Sequence, residues 1–426
     1  MMESTLNGLS ALEASFDTQL LGITDGQQKD FRTASFDAFR NLGIPGKKTE
    51  AYKYSPVDKF IEKNIDFLQV NGDFKLNAAE VQQSFYDLPG SHVVLANGEY
   101  REELSNLEAD AVTIDNLEGD SSLLGRVAVA QNDAFAGLNG AFFKKGLSIR
   151  AENVKTRATL FLYRVFDLRE GQIIAQPRIN ISVAANCELD IIEKLVFVGE
   201  GTLFQNSITE IEVSRNAKVN LTKTQVYKDN HVVIDGVFAQ QDRDSKAYFN
   251  TFAFSGAMVR NNLNISQEDE NCESFMNGLY LLNGSSHVDN NTAIDHKKPH
   301  SYSNELYKGI VDDKSRGVFN GKIYVRPGAQ QTNAFQSNNN ISLSDTATVN
   351  TKPQLEIWAD DVKCSHGCTI GQLDEDAIFY LRARGLSETS AKAMMLVAFA
   401  EDTLEHIPVE QPKEEVSNLI ANRLAQ

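Results

Sequence analysis

Cysteine is scarce in this chain, with four among 426 residues. That excludes a disulfide framework of any density and fits a reducing cytosol. Long hydrophobic runs are also missing. The longest purely apolar stretch, Ala393 to Ala400, falls far short of the ~20 residues that a membrane-spanning helix needs. The start, Met1-Met2-Glu3-Ser4-Thr5, has neither a basic cluster nor an apolar core, so no secretory signal is expected. Positive charge is in deficit, with 41 Lys and Arg against 58 Asp and Glu, a net charge of −17. Such a surface repels phosphate backbones and anionic lipid, which argues against nucleic acid or a membrane as partner. Several motifs are absent as well. There is no GxxxxGK loop followed by Ser or Thr, no GxGxxG, no HExxH and no GxSxG. These gaps weigh against nucleotide hydrolysis by this chain alone and against dehydrogenase, metalloprotease and serine-hydrolase chemistry.

What is present is an ordinary globular composition, 42% hydrophobic and 23% charged, which rules out a wholly disordered chain. At roughly 150 residues per domain, the length allows two to three domains or one elongated one. Residues 1–65 carry apolar positions at helical spacing (Leu12, Phe16, Leu20, then Phe31, Phe36 and Phe39) until Gly43, Pro45 and Gly46 break the pattern. Residues 66–149 are mixed, and a short strand, His92 to Leu95, ends at the turn dipeptide Asn97-Gly98.

From 150 to 373 the texture becomes β. An apolar pair, a polar turn, a small residue and another strand recur as Val183-Ala-Ala-Asn-Cys187-Glu-Leu-Asp-Ile191 and Val213-Ser-Arg-Asn-Ala217-Lys-Val-Asn-Leu221. Weaker copies centre on Ser245, Cys272, Ser315 and Ala347, at spacings of 30, 28, 27, 43 and 32 residues. A period near 30 predicts a β-solenoid. The 43-residue gap reads as an insertion holding His287 to His300. The competing architecture is an antiparallel sandwich, kept open by Asn-Gly pairs such as those at 97, 277, 283 and 320. Residues 374–426 return to helix. Asp374 begins the first, Gly385 ends it, Ser387 caps the second, and Pro408 precedes a last polar helix.

The densest group of soft ligands is Cys364-Ser-His366-Gly-Cys368. On a strand these three side chains share one face, about 7 Å apart from one to the next. They suit zinc, iron or an iron–sulfur centre. The other reading is a small-residue turn with two ordinary cysteines. Cys187 and Cys272 occupy the repeat slot that Ala217 and Ser245 fill elsewhere, which points to packing. The stretch His287 to His300 holds three histidines with Asp289 and Asp295. They read as metal or acid–base groups, or as polar caps on successive turns. Trp358 is read as core or interface packing, and Met394-Met395 as core or partner-facing surface.

Glu356-Ile-Trp-Ala-Asp-Asp-Val-Lys-Cys364-Ser-His366-Gly resembles the signature of the SufB/SufD family of iron–sulfur cluster assembly scaffolds. So do Tyr380-Leu-Arg-Ala-Arg-Gly385, Ala391 through Ile407, the His287-Val-Asp289 to Pro299 stretch and Pro45-Gly-Lys-Lys-Thr-Glu50-Ala-Tyr-Lys-Tyr54. The length and the early motif are closer to the SufD branch than to the longer SufB. The resemblance implies a right-handed parallel β-helix flanked by helical N- and C-terminal domains. It further implies a non-catalytic cytoplasmic scaffold that pairs with a SufB-like chain through the β-helix. A SufC-like ABC ATPase would bind the C-terminal helices, where Met394, Met395, Val397 and Phe399 adjoin acidic Glu401, Asp402 and Glu405. The nascent iron–sulfur cluster would be transient at the interface with SufB, with Cys364 and His366 contributing from this side. Cys368 stands where the family often has Ala, and is read as a tolerated small residue rather than a ligand. A flavin in the complex stays open, as does homodimerisation of the chain alone. Two rival readings remain: a homodimeric SufB-like scaffold, and a carbohydrate-active β-solenoid enzyme of the pectate-lyase type.

Overall fold

The computed structural model describes residues 12, 14–67, 72–108, 112–117, 121–152 and 157–424. The chain start read for an export signal lies outside the described residues. No helix among those described is long and apolar enough to cross a membrane.

The core is a two-sheet β-solenoid. Sheet I runs from the strand Ser91–Ala96 through Arg157–Asp167, Glu188–Val198 and every second strand thereafter to Lys363–Gly371. Sheet II runs from Leu147–Ala151 through Arg178–Val183 and Leu203–Val213 to Thr348–Ile357. Each turn of chain adds one strand to each sheet, and the strands stack parallel in unbroken register over ten residues. Antiparallel ladders among the described residues are confined to the first turns. Asn97-Gly98 makes a genuine hairpin there, with φ of 49° and 90°.

Two of the other Asn-Gly pairs show why the sandwich reading fails, while Asn283-Gly284, with φ of 62° at the glycine, turns the chain at a solenoid corner between strands of different sheets. Asn277-Gly278 and Asn320-Gly321 lie inside strands. A Cβ on Gly278 would sit 2.1 Å from the Tyr307 ring on the next turn. These glycines make room for a neighbour's side chain; they do not turn the chain.

The repeat centres on one corner of the solenoid. Asn186, Asn216, Asp244, Asn271, His300 and Gln331 all have positive φ, between 55° and 64°, a conformation that Asn and Asp tolerate best. Each is followed by a small, buried residue: Cys187, Ala217, Ser245, Cys272, Ser301 and Thr332. The Cys272 thiol donates to the carbonyls of Asp242 and Asp269, at 3.1 and 3.2 Å. Two sequence expectations are corrected here. Ser315 and Ala347 sit at the opposite corner, before the sheet II strands Arg316–Val325 and Thr348–Ile357. There is also no insertion: His287–His296 is a regular strand of sheet II, and Ser301 is the next member of the series. Both corners demand a small buried residue after a polar turn, so a repeat followed by that residue alone slips from one corner to the other.

Inside the solenoid, apolar clusters flank a belt of buried charge. Arg164 pairs with Glu193 at 2.8 Å, and Lys223 with Asp235 at 2.6 Å. The helix Gly26–Leu42, capped by Asp25, lays Phe36 and Phe39 toward Phe204, Ile234 and Met258 on the outer face of sheet II. The C-terminal helices cover the outer face of sheet I, where Leu396, Ala400, Leu404 and Ile420 meet Phe252, Leu279 and Ile310. Their caps fall where expected, on Asp374 and Ser387, with φ of 98° at Gly385.

Candidate functional site

The strand Lys363–Gly371 is the last of sheet I and pairs on one side only, with Asn333–Ser342. Its register runs straight through Gly367, so the period of two holds across the motif. Cys364 stacks over Ala334, His366 over Gln336 and Cys368 over Asn338. Those three partners face the solenoid interior. Ala334 belongs to the inner apolar cluster, Gln336 bonds to buried Glu305, and Asn338 donates to the Tyr307 carbonyl. The two cysteines and the histidine therefore share the inward-facing side of the last turn of sheet I, which no further turn covers among the described residues. Cys364 is half-buried against the apolar cluster, while His366 and Cys368 are exposed.

Burial pushes the Cys364 thiol above its usual range, with a hydrogen bond to the Ala334 backbone working against the rise. The rise favours the neutral thiol over the thiolate, the form that binds metal. Among the described residues, no three His, Cys, Asp or Glu side chains converge on one point. One strand face offers ligands in a row, whereas an iron–sulfur centre takes four around it. Ile357, Trp358 and Ile370 are exposed on the same last turn. Trp358 stacks on Tyr324, with the Arg326 guanidinium 5.2 Å from each ring centroid.

The histidine-rich stretch does not form a site of its own. His287 is buried under the N-terminal segment, its Nε2 2.9 Å from the Ser55 hydroxyl, with the Phe60 ring edge-on. Asp289 pairs with buried Arg260. Arg260 also donates to the Ala51 carbonyl at 2.9 Å and lies 3.8 Å from the Tyr52 ring centroid. Two motifs singled out separately in the sequence thus dock on each other. At the far end of the same strand, His296 lies 2.9 Å from the Ser303 hydroxyl, and Asp295 accepts two bonds from Arg326. His300 occupies a corner. Cys187 and Cys272 are buried at corners too, and burial drives the Cys272 thiol up to about 11.

In the C-terminal helices the candidate docking residues separate. Met394 is exposed, Met395 is half-exposed and Glu401 is exposed. Val397 and Phe399, expected on the same surface, pack partly into the cluster beneath. Phe399 is anchored there by Lys308, whose ammonium donates to its carbonyl and lies 4.7 Å from its ring centroid. The sequence reading missed Phe379 and Tyr380, which stand out at 73% and 57% exposure. Beside these helices, Glu401, Asp402, Glu405 and Glu414 line an open cavity of about 480 Å³.

Residues 166–399 match the model of the SUF system FeS cluster assembly SufBD core domain, and residues 27–156 that of the SufBD protein N-terminal region. The chain is 31% identical over 410 residues to an iron–sulfur cluster assembly SufBD family protein of Synechocystis, covering 91% of this chain and 89% of that one. It is 30% identical over 389 residues to the iron–sulfur cluster assembly protein SufD of Escherichia coli, covering 90% of each. With both halves of the family pattern matched and the open-ended solenoid behind them, this chain belongs to the SufBD family of iron–sulfur cluster assembly proteins.

Proposed function

We propose that this chain is a SufD-like, non-catalytic scaffold subunit of a cytosolic complex with a SufB-like scaffold and a SufC-like ABC ATPase. The observation that carries this reading is the unfinished last turn. Cys364 and His366 lie on the uncovered inward face of a strand with a free edge, beside exposed Ile357 and Ile370. A second solenoid end apposed to it would pair the edge strands, cover the apolar residues and supply the missing ligands. The iron–sulfur cluster is cargo at that interface, and this chain contributes at most half of its ligands. Without a SufB-like partner, the same edge is open to a second copy of the chain. The ATPase would take the C-terminal helices through Met394, Phe379 and Tyr380, beside the acidic cavity.

The test is coexpression with SufB-like and SufC-like chains, followed by anaerobic reconstitution and iron and sulfide analysis per complex. A Cys364→Ala, His366→Ala double variant should assemble the complex and lose most of its cluster. Cys187→Ala should leave the yield unchanged. Normal yield from the double variant refutes the site. Undiminished ATPase copurification after removal of residues 374–426 refutes the docking surface.

A further inference from the structure

Behind His366 lies a buried polar column that packing alone does not require. Glu305, Gln336 and His366 occupy successive turns at the same inward position. Glu305 and Gln336 are 1% and 2% exposed. The Gln336 amide nitrogen donates to Glu305 Oε2 at 2.6 Å, while its oxygen, Oε1, has no partner among the described residues. Room for this amide is made by Gly321 across the interior, where a Cβ would stand 2.3 Å from Gln336 Nε2. Leaving a buried amide oxygen without a partner is costly, so an unpaired one beneath an exposed imidazole calls for a reason.

We propose that Gln336 and Glu305 are positioning residues for His366, with Gln336 Oε1 accepting one imidazole N–H so that the other ring nitrogen is bare and aimed at incoming metal. Stacked strands stand about 4.8 Å apart, within a side chain's reach of a hydrogen bond. A metal-binding imidazole characteristically donates its second N–H to such an acceptor, which fixes both tautomer and ring orientation. An amide by itself could present either edge. Glu305 removes the ambiguity: its ionised carboxylate only accepts, so it holds the nitrogen edge and leaves oxygen for His366. Burial raises the Glu305 carboxyl to about 7. The protonated form could donate to the amide oxygen instead, which would free the amide to turn over.

This inference rests on the proposed role of His366, and its test reads the imidazole directly. The full-length, metal-free chain, labelled with ¹⁵N at histidine, is examined at pH 8 by two-bond ¹H–¹⁵N correlation. His366 is assigned among the seven histidines by its loss in His366→Asn. One tautomer should dominate in the wild type. Its ratio to the other should fall at least threefold in Gln336→Leu, and by less in Glu305→Gln, whose uncharged amide lets Gln336 turn over. The other six histidine signals should hold their positions, and Glu305→Gln, being isosteric, carries the test if Gln336→Leu disturbs them. A mixed tautomer in the wild type, or an unchanged ratio in Glu305→Gln, overturns the proposal. Cluster yield in the coexpressed complex separates the two ideas. Loss in His366→Ala with unmoved ratios in both variants rejects the positioning role alone, whereas normal yield in His366→Ala rejects the site.

Discussion

His287 provides a sharp test of how the N-terminal segment is held. Burial, and then the charges of Arg316 and Arg260, depress its imidazole from 6.5 to about 3. The ring is therefore neutral when folded and bonded to Ser55, which is itself 0% exposed. In the unfolded chain it titrates near 6.5. The folded value lies below the unfolded one, so this contribution to stability is complete above pH 6.5 and lost as pH falls toward 3. At pH 5 the loss is about 2 kcal/mol relative to pH 8. His287→Phe keeps the aromatic contact with Phe60 but strands the Ser55 hydroxyl, at a cost of about 1–3 kcal/mol. The variant should thus be clearly weaker than wild type at pH 8 and close to it at pH 5. The other histidines and carboxylates titrate in both proteins and cancel in the difference. Urea unfolding followed by far-UV circular dichroism and by the fluorescence of the single Trp358 measures the gap. A gap that stays constant within about 0.5 kcal/mol across this range would refute the buried, neutral His287 and its bond to Ser55.

Thiol labelling of the native chain should follow burial: Cys368 first, Cys364 more slowly, and Cys187 and Cys272 only on unfolding. Prompt labelling of Cys272 would contradict its corner position. Asp235→Ala should cost about 3–5 kcal/mol, because it leaves Lys223 and Arg164 buried without their shared carboxylate; a loss below about 1 kcal/mol in urea unfolding would show that the belt relaxes. Gly278→Ala should cost about 1–3 kcal/mol through its clash with Tyr307. Gly367→Ala, with nothing within 4 Å of the added Cβ, should be neutral or slightly stabilising by thermal denaturation.

The architecture was legible because a solenoid writes its period into the chain. Polar turn residues before Cys187 and Ala217 mark successive passes through one corner. Legibility failed at Ser315, because the opposite corner also takes a small buried residue, and only strand pairing tells the corners apart. Asn277-Gly278 misled for a related reason. Its glycine answers to Tyr307, 29 residues away in the next turn, and no local pattern records that demand. The histidine-rich stretch suggested a cluster, yet His287 and His296 end one strand at opposite tips. Their burial reflects two separate packing tasks.

The candidate site was legible as a strand face but not as an end. Alternation places Cys364, His366 and Cys368 together wherever the strand lies. What gives that face meaning is that no further turn covers it among the described residues. Each earlier turn buries its inward polar groups under the next, as Gln336 covers Glu305. At Lys363–Gly371 the stacking stops, and the inward residues are left without a covering turn among the described residues. Where Ala334 and Gln336 are core one turn earlier, Cys364 is half-buried and His366 exposed. Chemistry and incompleteness then share one cause. The free edge that leaves Cys364 and His366 uncovered also leaves a ladder of backbone donors and acceptors for a partner to complete. A partner that pairs with this edge would finish both, so cluster formation and subunit pairing should be lost together when the edge is blocked. A proline at Ile370 would block it: Lys363 donates to the Thr332 carbonyl and the register is constant, so Thr369 and Gly371 turn their backbone groups toward Asn333–Ser342 and the Ile370 N–H faces the free edge.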